Sequence, residues 1–559
     1  MSSKFPLGWI VAISVFGTLS VAPLISTSGN SSERGVATPS IGGIYRRSLE
    51  HEPSTLDPPK ISDLYGITIA EQVFDGLVRY DANLNLAPGL AESWTASKDG
   101  LVWTFLLRKG VRFHHGREMT ADDVVYSFTR LLDNRRGSKK VQLLSMVKGA
   151  RAFQQGQVQR VEGLEVLNRH TVRITLEEPS GPFPAWLALG HAKILPREVV
   201  EAKGDAFGRE PVGTGPFRFV RWDRSQIILE ANHDYFEGRP FLDRVVYKIF
   251  AGAQYGQMLG EFLHAQLEDT TLSRDTARRM TQNYTVLHKP ILALKFLGIN
   301  TQKGPLKDRR IRQAMNYAIN KSVSLPDVSS GYHLPSDRII PKSLAVYHLQ
   351  LHGYALPAQY SRLTIEDKGS SFLGLPYDLL KGRALLSEAG YRNGDGVAPI
   401  ELWSSVKEPI AVQEDTAIQR AWGEVGLKVV IRYNTDWPSY VRDLEARKLS
   451  LYRYAWYADV PDPDDFLFNL FHSQGQRNYM DYRNPVVDDL LIEARRERAV
   501  DRRMALYRTA EQIILNDAPL VPLVHYIYHR VLQPYVKGFE VNALGDPYVP
   551  MRKVWLDKR

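Results

Sequence analysis

The chain has 559 residues and a mass of 63.4 kDa, more than the roughly 250–300 residues that one hydrophobic core supports, so two or more lobes are expected. Hydrophobic residues make up 44% and charged residues 24%, a balance that excludes a disordered, collagen-like or coiled-coil protein. The 71 Lys and Arg residues exceed the 62 Asp and Glu residues without gathering in one arm, which argues against nucleic acid as a partner.

The first predicted element is an export segment. Residues 9–25 are nearly all apolar or small, follow Lys4 and run into the Ser-rich stretch 26–32, a pattern typical of a secretory signal peptide. An uncleaved N-terminal anchor is the alternative, because Pro23 interrupts the run and no clear Ala-x-Ala cleavage site follows it. Both interpretations place the rest of the chain outside the cytoplasm, and residues 1–43 are assigned to this leader and its linker.

The first half of the remaining chain mixes short strands with helices. Its periodicity predicts a helix over 64–74 and a second helix opened by the capping residues Thr120 and Asp123. The segment 109–113 is expected to be the hairpin partner of the strand 102–107. The other predicted strands are 44–49, 170–176, 215–220, 226–231 and 245–250.

The second half shows a regular alternation of strands and helices. Predicted strands are 292–299, 400–404, 428–433, 449–454 and 521–531, and predicted helices are 308–319, 377–389, 414–425, 438–446 and 502–515. Such alternation indicates crossover units on a sheet with helices on its faces, the α/β class. A long Pro- and Tyr-rich connection, 325–376, separates two of the helices.

Few motifs of catalysis are present. The signatures of serine hydrolases, zinc peptidases and nucleotide-binding enzymes do not occur, and the lack of cysteine excludes disulfides, thiol nucleophiles and lipid modification at an N-terminal cysteine. His114 and His115 are expected to be turn and surface residues. The basic residues at 135, 136, 139 and 140 are expected in an exposed loop. No cofactor and no metal site is predicted.

One aromatic and charged neighbourhood suggests a binding site. Arg453, Trp456 and Asp459 fall at the end of a predicted strand and in the following turn, where open α/β sheets place ligand groups. Trp437 begins the helix packed next to that strand. A cation, an anion and aromatic surfaces suit a zwitterionic or amphiphilic ligand. The alternative is a solvated acidic turn with core tryptophans and a surface ion pair.

Many short segments, in one order, resemble a known family. The segments are Leu56-Asp57-Pro58, Phe74 to Val78, Pro88 to Trp94, Asp99-Gly100-Leu101, Arg108 to His114, Thr120 to Val124, Gly213 to Phe217, Asn232 to Pro240, Arg312-Gln313-Ala314, Tyr317-Ala318-Ile319, Ala384-Leu385-Leu386 and Glu388 to Tyr391. Together they resemble the extracytoplasmic solute-binding proteins of ABC importers, family 5, the class of oligopeptide-, dipeptide- and nickel-binding proteins. The resemblance covers nearly everything after the leader.

The resemblance implies a two-lobed α/β periplasmic-binding-protein (Venus-flytrap) fold of the large class, with two chain crossovers and an extra subdomain in the first lobe. The implied bounds are 44–75, 196–290 and 520–559 for lobe I, 76–195 for the extra subdomain and 291–519 for lobe II. The family's W-x-A-D motif is matched by Trp456 to Asp459. In peptide binders this aspartate pairs with the ligand's α-amino group.

The same resemblance implies roles for the other site residues. Trp456 and Trp437 would line side-chain pockets, and Arg453 would meet the carboxylate of a short peptide. The expected function is peptide capture for an ABC permease and its ATPase subunits, by a monomeric, periplasmic protein that does not bind nucleic acid and is not an enzyme. The alternatives are a two-lobed hydrolase, with Asp459 and either Asp462 or Glu401 as acid and base, and a sensory or chaperone-like binding module without an importer.

Overall fold

The computed structural model describes residues 38–251, 254–271, 276, 280, 283–344 and 374–558. The predicted leader and most of its linker lie outside these residues, as does most of the long connection before residue 374. Within the described ranges, no helix has both the length and the apolar character needed to cross a bilayer. Residues 40–559 form one compact unit.

The strands and helices follow the chain in this order. The strands are β1 Ile44–Leu49, β2 Val78–Tyr80, β3 Leu86–Pro88, β4 Ala91–Ala96, β5 Val102–Leu107, β6 Leu164–Asn168, β7 Thr171–Thr175, β8 Phe217–Trp222, β9 Gln226–Ala231, β10 Arg244–Ile249, β11 Asp269–Thr271, β12 Thr285–Ile299, β13 Leu334–Pro335, β14 Ile400–Ser404, β15 Val429–Tyr433, β16 Leu451–Tyr457, β17 Leu520–Leu532, β18 Val536–Lys537 and β19 Trp555–Leu556. The helices are α1 Leu64–Val73, α2 Ala121–Leu132, α3 Ala150–Gln154, α4 Phe183–Trp186, α5 Arg197–Lys203, α6 Tyr255–Leu263, α7 Arg309–Tyr317, α8 Lys321–Ser324, α9 Pro326–Ser329, α10 Leu379–Glu388, α11 Pro409–Glu424, α12 Trp437–Glu445, α13 Pro463–Phe471, α14 Pro485–Arg496 and α15 Val500–Asp517.

One mixed sheet runs through both halves of this unit, in the order β15-β14-β16-β12-β17-β11-β1-β10-β9-β8. The predicted crossover units are confirmed at one end, where β14 pairs in parallel with both β15 and β16. The helix α11 connects β14 to β15 and buries Ile418 and Trp422 against the sheet. At the other end β1 pairs in parallel with β10.

The two longest strands, β12 and β17, join these ends. The first part of β12 pairs with the last part of β17, from Thr285 opposite Leu532 to Pro290 opposite Ile527. The pairing is then interrupted and resumes at Leu294 opposite His525. A proline cannot donate to a ladder and marks such irregularities. The predicted boundary between the lobes near residue 290 falls within β12, and the one near residue 520 falls at the start of β17; that these strands are the two crossovers stays a prediction.

A separate four-stranded sheet, β4-β5-β7-β6, lies within the segment assigned to the extra subdomain. Its hydrophobic cluster draws on residues 77–194, with Val460 as the one member from elsewhere among the described buried residues. The predicted hairpin of 102–107 with 109–113 is wrong, since β5 pairs with β4 and β7. Gly110 has a φ of 74°, which breaks the extended run. Val111 and Phe113 pack into the cluster instead.

The capping box that opens α2 is confirmed. The carboxylate of Asp123 accepts the backbone N–H of Thr120 at 2.9 Å, and in the reciprocal contact the Thr120 side chain accepts the backbone N–H of Asp123. Arg117 also donates to Asp123, at 3.0 Å from its Nη1. The helix therefore begins where the sequence predicts. The bounds given above for the two lobes and the subdomain stay predictions.

Candidate functional site

The turn after β16 presents the predicted W-x-A-D residues around one buried carboxylate. The Oδ2 atom of Asp465, the third residue of α13, accepts the indole N–H of Trp456 at 3.1 Å and the backbone N–H of Asp459 at 3.0 Å. Its Oδ1 atom accepts from the Asn469 side chain at 3.2 Å. Asp465 is fully buried. The side chain of Asp465 thus orders the acidic turn and holds the indole of Trp456 and the backbone of Asp459 in a fixed relation.

The side chain of Asp459 is bonded to a cation from a distant part of the chain. Lys140 Nζ donates to Asp459 Oδ2 at 2.7 Å, and the two side chains are 25% and 35% exposed. Lys140 lies in the segment assigned to the extra subdomain. The expectation that all the basic residues near 140 lie in an exposed loop is therefore wrong for Lys140. Asp459 faces a second part of the protein and is only partly open to solvent.

The electrostatics of this neighbourhood are dominated by burial. Burial, followed by the negative charge of Asp459, raises the pKa of Asp465 well above its usual range. His191 is affected by the same charges: burial, together with the ammonium of Lys140, lowers its pKa to about 4 although Asp459 acts in the other direction. His191 is therefore neutral near pH 7. The site combines the carboxylate of Asp459, the buried carboxyl group of Asp465 with its raised pKa, the ammonium of Lys140 and the uncharged imidazole of His191.

Trp437 lies where the sequence predicts, at the first position of α12, and its side chain stands against β16. Its ring stacks on Tyr454 with centroids 6.3 Å apart and an interplanar angle of 17°. The residue remains 52% exposed. Tyr454 and Trp456 lie two residues apart on the strand and pack on the same cluster, as strand alternation requires. Trp437 and Trp456 therefore belong to the same side of the sheet.

Arg453 is on the opposite face of β16, because it is an odd number of residues from Trp456. Its guanidinium donates to Glu414 Oε1 at 3.1 Å and to Asp415 Oδ1 at 3.1 Å from Nε. Lys295 donates to the other oxygen of Glu414 at 2.7 Å. Burial opposes ionisation of Glu414, but the cations of Arg453 and Lys295 outweigh it and lower the pKa of Glu414. The structure joins Trp456 and Asp459 through Asp465, places Trp437 against Tyr454 on the same side of the sheet, and places Arg453 in a separate ion-pair network.

The two carboxylates considered as enzymatic partners of Asp459 have other contacts. Asp462 forms an ion pair with Arg503 and accepts the backbone N–H of Asp464 at the start of α13. Glu401 lies on β14, 44% exposed, and pairs with Arg432 at 3.2 Å. Both carboxylates thus serve ion pairs within the fold.

Two residues of the site were missed by sequence reasoning. Asp465 belongs to the acidic run after Trp456, but its neighbours Asp462 and Asp464 give the same local signal while bonding to Arg503 and Arg495 instead. Lys140 is 319 positions from Asp459. No local pattern connects residues so far apart.

A cavity of about 650 Å³ lies at the interruption between β12 and β17, with Pro290, Ile291 and His525 among its lining residues. None of the four predicted site residues lines it. A smaller cavity of about 80 Å³ is lined by Glu71, Lys193 and other residues of the first half, together with residues near the C-terminal end such as Tyr548. The chemistry of the W-x-A-D turn, rather than cavity size, identifies the candidate site.

Comparison with known proteins gives the family. Residues 85–478 match bacterial extracellular solute-binding proteins, family 5 Middle. A protein named Heme-binding protein A from Haemophilus influenzae is 30% identical over 85% of this chain and 86% of its own. The Dipeptide-binding protein of Escherichia coli is 29% identical over 82% of this chain and 84% of its own.

Solved structures agree with this assignment. The Helicobacter pylori periplasmic binding protein DppA in complex with the peptide STSA is 27% identical, has a TM-score of 0.74 and is matched over 93% of this chain and 99% of that chain. HbpA2 from Haemophilus parasuis is 27% identical with a TM-score of 0.75, over 92% of this chain and all of that one. The predicted two-lobed α/β fold class is confirmed. This chain belongs to the bacterial extracellular solute-binding proteins of family 5.

Proposed function

We propose that this protein captures peptides with a free amino terminus between its lobes and delivers them to an ABC importer. The observation that carries the proposal is the carboxylate of Asp459, which already accepts a primary ammonium at 2.7 Å. A partly buried carboxylate is costly without a cation, so a ligand amine at this position would favour closure of the lobes around it. Relatives named for dipeptides and for di/tripeptides support the same ligand class.

The proposed contacts with the peptide are of two kinds, those made by charged side chains and those made by aromatic rings. Asp459 would receive the α-ammonium group, and Trp456 and the exposed ring of Trp437 would bound the side-chain pockets. Arg453 stays a predicted contact for the peptide carboxylate, which would have to compete with Glu414 and Asp415 for the same guanidinium. Backbone groups would hold an extended peptide like an added strand.

The partners and the compartment follow from the same proposal. The protein would act as a monomer in the periplasm, hand its ligand to permease and ATPase subunits, and bind no nucleic acid. It would perform no chemistry on the peptide. Recovering intact peptide after prolonged incubation with the purified protein checks this last point, and cleaved products would contradict it.

Two measurements test the ligand class. Mass spectrometry of small molecules that co-purify with the protein should identify peptides, whereas recovery of haem or an oligosaccharide would overturn the peptide proposal. Calorimetry with trialanine should show that Asp459→Ala weakens binding by about 2 kcal/mol or more, the usual effect of unpairing a charge in a desolvated contact. The control is Asp443→Ala, an aspartate of α12 that pairs with Lys448. Equal affinity of the wild type and Asp459→Ala would remove Asp459 from the site.

A further inference from the structure

Lys140 forms an ion pair with the carboxylate of Asp459, although the two residues are far apart in the sequence. Its Nζ atom lies 2.7 Å from Asp459 Oδ2, the geometry of a charge-assisted hydrogen bond. A ligand's α-ammonium, which the proposed function places on the same carboxylate, has the same charge and the same three N–H donors. The protein therefore carries, in its own chain, a group chemically equivalent to the one it is proposed to bind.

Ordered backbone presents Lys140 to the carboxylate. The N–H of Lys139 donates to the carbonyl of Pro59 at 2.8 Å, and the carbonyl of Lys140 accepts from Leu143 at 3.0 Å. Leu143 is buried in the same hydrophobic cluster as Val460, the residue next to Asp459. Both partners of the ion pair are thus anchored beside one another by apolar packing. The long side chain of Lys140 supplies the freedom to leave the carboxylate.

The charges around the pair explain why a cation is held there. Asp465 lies directly behind Asp459 and bonds to its backbone N–H at 3.0 Å. Negative charge on both Asp459 and Asp465 would be repulsive in this partly buried site, and the nearby ammonium of Lys140 offsets that repulsion. A second ammonium brought to the same oxygen would instead be repelled by Lys140.

We propose that Lys140 is a tethered competitor for the ligand's ammonium group and so determines which ligands the site accepts. The inference rests on the proposed role of Asp459. A peptide binds by displacing Lys140 from Asp459 Oδ2, so one ion pair is exchanged for another. The exchange lowers the affinity for every ligand that relies on its amine alone. It favours ligands with enough additional contacts, through side chains or backbone, to complete the displacement.

The test compares Lys140→Met with wild type by calorimetry, using trialanine and N-acetyl-trialanine as probes. Methionine keeps the apolar stem and removes the charge. The matched control is Lys139→Met, because Lys139 is the adjacent lysine and is exposed. Affinities are measured at low and at high salt, since an exchange of ion pairs has a weaker salt dependence than the formation of a new one.

We expect Lys140→Met to bind trialanine about threefold more tightly or better at low salt, in line with the strength of partly exposed ion pairs. Its trialanine affinity should also fall more steeply with salt than that of wild type. Binding of N-acetyl-trialanine should not be strengthened by Lys140→Met, because this probe has no ammonium to take the place of Lys140 on Asp459. The control Lys139→Met should behave as wild type with both probes. If Lys140 had a purely structural role, Lys140→Met would bind trialanine more weakly than wild type, not more tightly.

The outcomes separate this inference from the proposed function. If Asp459→Ala weakens trialanine binding but Lys140→Met does not strengthen it, the competitor role is overturned and the peptide site stands. If wild type and Asp459→Ala bind trialanine equally, the proposed site itself fails, and the role of Lys140 fails with it. Absence of trialanine binding by every variant overturns both. Binding by Lys140→Met alone would support Lys140 as the group that blocks the site.

Discussion

The carboxylate of Asp465 accepts the indole N–H of Trp456 at 3.1 Å. The same oxygen accepts the backbone N–H of Asp459 at 3.0 Å. One atom therefore sets both the orientation of the aromatic ring and the position of the carboxylate proposed to bind the ligand. Asp465 is buried behind the site and acts through these two residues, which makes it a positioning residue.

Replacing Asp465 with alanine tests this role. The change leaves the indole N–H of Trp456 and the backbone N–H of Asp459 without their acceptor, and we expect the free energy of unfolding to fall by about 2 kcal/mol. Trialanine affinity should fall as well, because the turn is no longer fixed. The measurements are denaturant unfolding and calorimetry at a temperature where the variant is folded.

The control is Asp464→Asn, which disturbs a neighbouring buried carboxylate bonded to Arg495 and Tyr507 instead. It should lower stability without changing trialanine affinity. If both variants lose affinity in proportion to their loss of stability, Asp465 has no particular role in positioning the site.

Local sequence patterns predicted many strands of the two larger sheets. The bounds of β1, β5, β9 and β14 agree with the predicted strands, because alternation of side chains and flanking turn residues are encoded within a few positions. The partner of β5 was not predictable in this way. Strand pairing depends on residues far apart, and the nearest extended segment, ending at Phe113, packs in the core without pairing with β5.

The site was predictable in part for the same reason. Trp456 and Asp459 stand in a contiguous motif, and the start of α12 at Trp437 follows from its capping residue Asp436, whose side chain accepts the N–H of Ser439. The partners of Lys140 and Arg453 were not predictable. A charged residue has the same local appearance whether it faces solvent or a carboxylate from elsewhere in the chain.

Arg453→Met should strongly destabilise the fold. The variant leaves the buried carboxylates of Glu414 and Asp415 without the guanidinium that now neutralises them, and we expect the free energy of unfolding to fall by about 3 kcal/mol. Adding Asp415→Asn should recover part of the loss, since Glu414 keeps its contact with Lys295. Chemical denaturation of the single and double variants measures both effects.

The double variant also tests the predicted ligand contact of Arg453. Trialanine and its C-terminal amide differ only in the carboxylate, so the ratio of their affinities reports how that group is bound. A contact with Arg453 predicts a ratio closer to one in the double variant than in wild type. An unchanged ratio would remove Arg453 from the set of proposed ligand contacts.

His114 should make the fold sensitive to acid. Its Nε2–H donates to the carbonyl of Gly215 at 3.0 Å, and its Nδ1 accepts the N–H of Gly213 at 3.3 Å, so the neutral ring uses both nitrogens. Burial lowers the pKa of His114 to about 4. The earlier expectation of a surface histidine is therefore wrong for this residue, which bridges to the Gly213 to Phe217 segment.

The direction of the pH effect follows from that lowered pKa. The unfolded chain takes up a proton near the ordinary value of about 6.5, before the folded protein does. The stabilising contribution is therefore complete above about pH 6.5 and is lost as the pH falls toward 4. From pH 7 to pH 4.5 the free energy of unfolding of wild type should fall. The fall should be about 2 kcal/mol smaller in His114→Gln. The exposed His233, replaced in the same way, is the control, and equal losses in all three proteins would exclude this role for His114.

Trp437→Ala should reduce the affinity for some peptides while having only a small effect on the free energy of unfolding. The residue is 52% exposed and its ring stacks on Tyr440 and Tyr454, so its loss should lower the free energy of unfolding by about 1 kcal/mol, the size of an aromatic pair contact. If the exposed part of the ring bounds a side-chain pocket, the variant should bind trialanine almost as well as wild type. Its affinity for tripeptides with a phenylalanine side chain, which bury more apolar surface, should fall about fivefold or more. The matched control is Trp222→Ala, because that tryptophan lies on β8, bonded to Glu52 and far from the site in the sheet order.

Calorimetry with trialanine and with the three positional phenylalanine variants of it would also show which peptide side chain meets the ring. Equal losses for all four peptides would mean that Trp437 supports the turn of β16 and does not line a pocket.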